Sequence, residues 1–203
     1  MPEFLRENLE LMTDLIRAGG VVMVPLVILS LVMWLLIIER VFFFRRLYKK
    51  NMNSRTALCL VRENTLPDPK MYRGAVSLLV TEFIANRSGS PQLDRHLLDA
   101  AVARINRRMT RSLAVIGVLA AMAPLMGLLG TVTGMISTFD VLAIFGTGNA
   151  KAMAGGISES LITTQTGLIV AIPGLYMKVF LDRRAEHLSW RIQRMGLYLK
   201  RHL

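Results

Sequence analysis

The sequence predicts an all-α, polytopic membrane fold with three transmembrane helices, and three observations predict it. Apolar residues make up 53% of the 203 residues. The mean hydropathy is +0.44, and the apolar residues gather in long blocks, three of which reach the length a helix needs to cross a bilayer. Between those blocks lie the basic residues: 25 Lys and Arg against 14 Asp and Glu, a net charge of +11. No nucleic-acid reading motif accompanies that charge. Concentrated beside membrane blocks, it suits anchoring against anionic lipid headgroups.

The elements follow in order. Residues 1–19 carry four acidic and two basic side chains. Phe4 or Leu5, Leu9, Met12 and Ile16 fall near helical spacing, which predicts an amphipathic helix on the outer membrane surface. An acidic start does not resemble a cleavable signal peptide. The first span is 20–38, with Pro25 near its start, where a helix tolerates proline best, and Glu39-Arg40 closes it. Residues 39–111 form a large inner segment. Pro67, Pro69 and the stretch 86–91 break it into short helices. The absence of Gly and Pro between Pro91 and Gly117 predicts one helix rising directly into the second span, 112–144. Its uncharged run Ser112–Phe139 is long enough to tilt or project beyond the lipid. A loop is expected at 145–154, then the third span at 155–177, whose only charge is Glu159. The tail 178–203 continues as a helix with Leu181, Leu188, Ile192, Met195 and Leu199 as its apolar stripe.

Charge orients the spans. Residues 39–112 hold fifteen Lys/Arg against six Asp/Glu, and the tail from Lys178 holds seven against two. The positive-inside rule therefore sets the N-terminus outside and both basic segments, including the C-terminus, in the cytoplasm.

Enzyme chemistry finds no footing. There is no HExxH or GxSxG motif and no acid pair held together by sequence. The one cysteine, Cys59, has no partner for an internal disulfide, and no His/Cys cluster has zinc-ligand spacing. His96, His187 and His202 fall on solvated or terminal segments. GLLGTVTG lacks the Gly-Lys-Ser/Thr ending of a phosphate loop and lies within an apolar span. The expectation is a protein that is not an enzyme and uses no metal, cofactor or nucleic acid.

Two segments carry the polar chemistry. In span two, Gly127, Gly130 and Gly134 lie at spacings that let helices approach closely in lipid. Packing against span three and an interface repeated around an oligomer are both open readings of that face. Gly167 is assigned the same packing role on span three. Pro124 lies inside the second span, where it cannot donate its backbone hydrogen bond, and is expected to kink it. Span three begins with Glu159, and Thr163, Thr164, Gln165 and Thr166 follow. A carboxylate in hydrocarbon is costly and usually faces protein or a wet cavity. The alternatives are that Glu159 caps the start of its helix and that the hydroxyls bond their own backbone. A broad polar face starting with an acid suits the wall of an aqueous path that the single chain is too small to enclose, which implies an oligomer, a partner helix, or both.

GLLGTVTGMISTF from Gly127 to Phe139, followed by GGISESLITTQTGLIVAIPGL from Gly155 to Leu175, resembles the paired signature of the MotA/TolQ/ExbB proton-channel proteins. Three spans with a large inner segment after the first are similar to ExbB and TolQ, whereas MotA has four. The resemblance implies a bacterial inner-membrane motor subunit. Several copies, typically five, would surround single-span helices of an ExbD-like partner whose intramembrane aspartate carries protons, and movement would pass to a TonB-like protein. It further implies that Thr131, Glu159 and Thr164 match the family's pore-facing threonine, glutamate and second threonine. Thr163, Gln165 and Thr166, more polar than the alanine-rich version in relatives, would mean a wetter pore or extra contacts to the partner, and Pro173 matches the kink near the inner end of span three. Gly155 stands where relatives often have proline. A TolQ-like role in envelope integrity and division, and a non-conducting membrane scaffold, are the competing readings.

Overall fold

Three apolar runs fold as parts of three long helices, each long and apolar enough to cross a membrane. The computed structural model describes residues 18–48, 52–72, 74–146 and 149–202. Among them are five helices: α1 (Gly20–Tyr48), α2 (Ser54–Glu63), α3 (Ala75–Ala85), α4 (Pro91–Phe145) and α5 (Ala150–Lys200). The amphipathic helix expected over 1–19 lies, but for its last two positions, outside the described residues.

Charges end the spans without ending the helices. Glu39-Arg40 lies inside α1, which continues to Tyr48 and closes with Arg45 and Arg46 in its last turn, where positive charge suits the helix dipole. With no breaker after Pro91, α4 runs unbroken through the expected second span. Pro124 and Pro173 both lie inside uninterrupted helices. The loop expected over 145–154 is shorter than that, because Asn149 starts α5. Its Oδ1 accepts from Ala152 N at 3.2 Å, satisfying one of the donors a helix start leaves unpaired.

The chain divides into two compact units. One comprises the residues up to Leu35 together with Ile116–Met177. Its core is built from Val22, Met23, Leu26 and Met33 of α1 with Ile116, Ala120, Ala123 and Ala171. Glycines complete it: a Cβ at Gly174 would lie 2.6 Å from Met33 Sδ. Large apolar side chains such as Leu31, Leu35, Leu125, Leu128, Leu161 and Ile172 point outward, the arrangement expected where the surroundings are lipid or neighbouring protein.

The other unit comprises Leu36–Val115 and Lys178–Leu203. Here the large side chains are inside: Phe44, Leu79, Phe83, Leu98, Ile105, Met109 and Leu113 are buried, with Leu181, Leu188, Ile192, Met195 and Leu199 of the tail stripe. Its turns are made locally. Asn53 caps α2 by accepting from Ser54 N at 2.9 Å, and Asn64 ends the helix in the left-handed region at φ 52°, a role asparagine tolerates. Arg87 then joins helix ends, donating to Val61 O at 2.6 Å and to Asp94 Oδ2 at 3.2 Å. Asp94, in the first turn of α4, also accepts from the backbone and hydroxyl of Ser88, both at 2.9 Å. Burial opposes its charge, but these hydrogen bonds and the Arg87 guanidinium hold its carboxyl below the ordinary value of 3.8.

Candidate functional site

The polar residues of the third span meet α4 along a seam of glycines. Ala123 O lies 2.7 Å from where a Cβ on Gly167 would stand. Further along, Gly127 lies against Thr163 O and Thr164 Cα (both 3.1 Å from its missing Cβ), Gly130 against the Thr163 side chain, and Gly134 against Ser160 Oγ and Gly156 O. Numbers rise on one helix as they fall on the other, so the segments run antiparallel. Without the glycines the backbones could not approach so closely, and in lipid such packing is what associates helices. Of the expected packing residues, Gly127, Gly130, Gly134 and Gly167 all lie in this seam; Gly156 joins them.

Hydroxyls stitch the seam. Thr164 Oγ1 donates across it to Gly127 O at 3.1 Å, and Ser160 Oγ lies 3.2 Å from Thr131 O and 3.0 Å from Gly156 O. Other hydroxyls bond within their own helices. Thr163 Oγ1 lies 3.0 Å from the carbonyls of both Glu159 and Ser160, Thr166 donates to Ile162 O at 2.7 Å, and Thr131 to Leu128 O at 2.6 Å.

The polar run does not present one face. Thr163 is fully buried in the seam, Thr164 and Thr166 are half-buried, and Gln165 is exposed on the far side of α5. At about 100° per residue on two antiparallel helices, Thr131 and Thr164 fall on one flank of the seam while Glu159 and Thr166 fall on the other. Glu159 is half-buried, and its carboxylate reaches back to Gly20, where a Cβ would lie 1.7 Å from Oε1. Glu159 stands nine positions beyond Ala150, too far along to cap its own helix. The helix start beside it is that of α1.

Sequence reasoning predicted close helix packing from the glycine spacing, without deciding between span three and a neighbouring copy, but missed Gly20. The Gly19-Gly20 pair reads only as a helix boundary, and no local pattern announces a partner so distant in sequence. It also missed Arg40, which is buried, donates to Ser112 Oγ and lies 5.0 Å above the Phe43 ring. No group of three His, Cys, Asp or Glu with the potential to hold a metal ion occurs among the described residues.

Residues 63–194 match the model of the MotA/TolQ/ExbB proton channel family. The chain belongs to that family. The match takes in both sides of the glycine seam, with Thr131, Glu159 and Thr164, but not α1 and its Gly20. Similar relatives include a biopolymer transport protein, ExbB-like 1, of Synechocystis sp., 33% identical over 198 residues that cover 93% of this chain and 78% of that protein. The biopolymer transport protein ExbB of Salmonella typhimurium is 28% identical over 167 residues, 76% of this chain and 68% of its own length. ExbB of Pseudomonas putida is 28% identical over 166 residues, 76% of this chain and 50% of its own.

Proposed function

We propose that this chain is a proton-channel subunit of a bacterial inner-membrane motor, a transport component rather than an enzyme. The observation that carries the reading is a carboxylate, Glu159, placed inside an apolar helical unit of a proton-channel family. Several copies would surround single-span partner helices bearing an intramembrane aspartate, as in an ExbD-like protein. The positive-inside rule supports an outer N-terminus and cytoplasmic basic segments facing anionic lipid. Thr131 and Thr164, sharing one flank of the seam, line the path of the partner's acid, and Glu159 acts from the opposite flank as an acidic site or an electrostatic tuner. Inward proton movement is passed through a TonB-like protein to outer-membrane transport.

In cells lacking the chain, Glu159→Gln or Thr164→Val copies should assemble with the partner yet fail to restore iron-chelate uptake. Normal uptake by both variants would overturn the assigned roles. Intact uptake in the deletion strain, with detergent sensitivity and division defects instead, would move the chain to the TolQ-like role. Assembly without any aspartate-bearing single-span partner would make it a scaffold.

A further inference from the structure

We infer that Gly20 is a positioning residue for Glu159, and that the N-terminal end of α1 is the seat on which this acid rests. The proposal deepens the reading of Glu159 as part of the proton path, but its geometry stands apart from that reading. The carboxylate fills the space a side chain at position 20 would need. A Cβ there would lie 1.7 Å from Oε1, 2.5 Å from Cδ and 3.3 Å from Cγ of Glu159. The backbone at Gly20 has φ +64°, in the left-handed region, so glycine is favoured there on two independent grounds. Position 20 is also the first residue of a 29-residue helix. Its first backbone N–H groups lack intrahelical partners, and the helix dipole places partial positive charge at that end. Among the described residues no Lys, Arg or His is ion-paired with Glu159.

Two requirements are thereby joined at one point. The carboxyl group of Glu159 lies against the start of α1, and the absence of a side chain at position 20 leaves it that space. Glu159 is held on the flank of the seam away from Thr131 and Thr164, and α1 fixes how far it reaches. Span one, which lies before the matched residues 63–194, thus takes part in the acid's function by setting its place.

The test uses the full chain with its partner in native membranes. Gly20→Ala, Gly20→Asn and Gly20→Ala/Glu159→Asp are compared with wild type by complex recovery, transport rate, and the rate at which dicyclohexylcarbodiimide labels residue 159 at one fixed pH. Asn tolerates left-handed φ but fills the space, so it separates backbone strain from displacement of the acid. We expect Gly20→Ala and Gly20→Asn each to keep the complex, change labelling severalfold and lower transport about tenfold or more. Shortening the acid by one methylene in the double variant should restore much of the transport. Wild-type labelling in Gly20→Ala, full recovery by Gly20→Asn, or no rescue by Glu159→Asp would each overturn the proposal. Altered labelling with normal transport would uphold the positioning and instead overturn the role of Glu159 in the proton path.

Discussion

Thr163 and Thr164 are adjacent in sequence and differ in what their hydroxyls do. The first is fully buried and bonds only carbonyls of its own helix; the second reaches across the seam to Gly127 O. Thr163→Val should therefore leave proton flux near wild type. Thr164→Val should lose the flux while lowering stability by only about 0.6 kcal/mol, the usual size of an interhelical hydrogen bond in membranes. Paired flux and thermal-unfolding measurements on the two variants check this. At this scale the polar residue types were legible from sequence, but their directions were not. One turn of helix separates buried from exposed positions, and only the contact with α4 decides which is which. Gly20 was illegible for the same reason: its constraint comes from a side chain far along the chain.

Among elements, the α4–α5 seam distinguishes glycines that are needed from those that are not. A Cβ on Gly167 would meet backbone, Ala123 O at 2.7 Å and Gly127 Cα at 3.1 Å, whereas one on Gly155 would meet nothing within 4 Å. Gly167→Ala should destabilise by about 1–3 kcal/mol, the range for an overpacked interior. Gly155→Ala, in the helix interior, should stabilise by up to about 1 kcal/mol. Thermal unfolding in one detergent ranks them.

The start of α4 gives a pH prediction. The folded-state pKa of Asp94 is lowered, so its contribution is complete above the ordinary carboxyl range and is lost as pH falls through the folded value. Asp94→Asn should cost about 1–3 kcal/mol at neutral pH, from buried hydrogen bonds left unmade, and that deficit should shrink below about pH 4. Melting curves taken from neutral pH down to pH 3 test the sign. The helices themselves were legible, because Pro67, Pro69 and the 86–91 stretch stop them and nothing after Pro91 does. The start of α5 was not. Its cap, Asn149, stands before Ala and Lys residues that carry no apolar signal, so the third span read as beginning at Gly155.

The two units of the chain close their helices differently. Glycine, alanine and hydroxyl residues close the seam of the first, with leucines and isoleucines turned outward, while leucine, phenylalanine and methionine fill the second. Arg45, Arg46, Arg55, Arg62, Arg107, Arg111, Arg183 and Arg191 of the second unit are exposed. That contrast was legible as charge: apolar blocks without Lys or Arg, then segments dense in both. It is also why the fold class and family followed from sequence, while the grouping of Thr131 with Thr164 and the separation of Glu159 from both required the packed helices.

On the proposed reading, protons cross only where this chain meets an aspartate-bearing partner, and only through Glu159. Proton uptake into proteoliposomes containing the chain and its copurified single-span partner, driven by a membrane potential, tests it most directly. Flux should require both proteins and fall about tenfold or more in Glu159→Gln. Equal flux in that variant, or full flux from this chain alone, would contradict the claim.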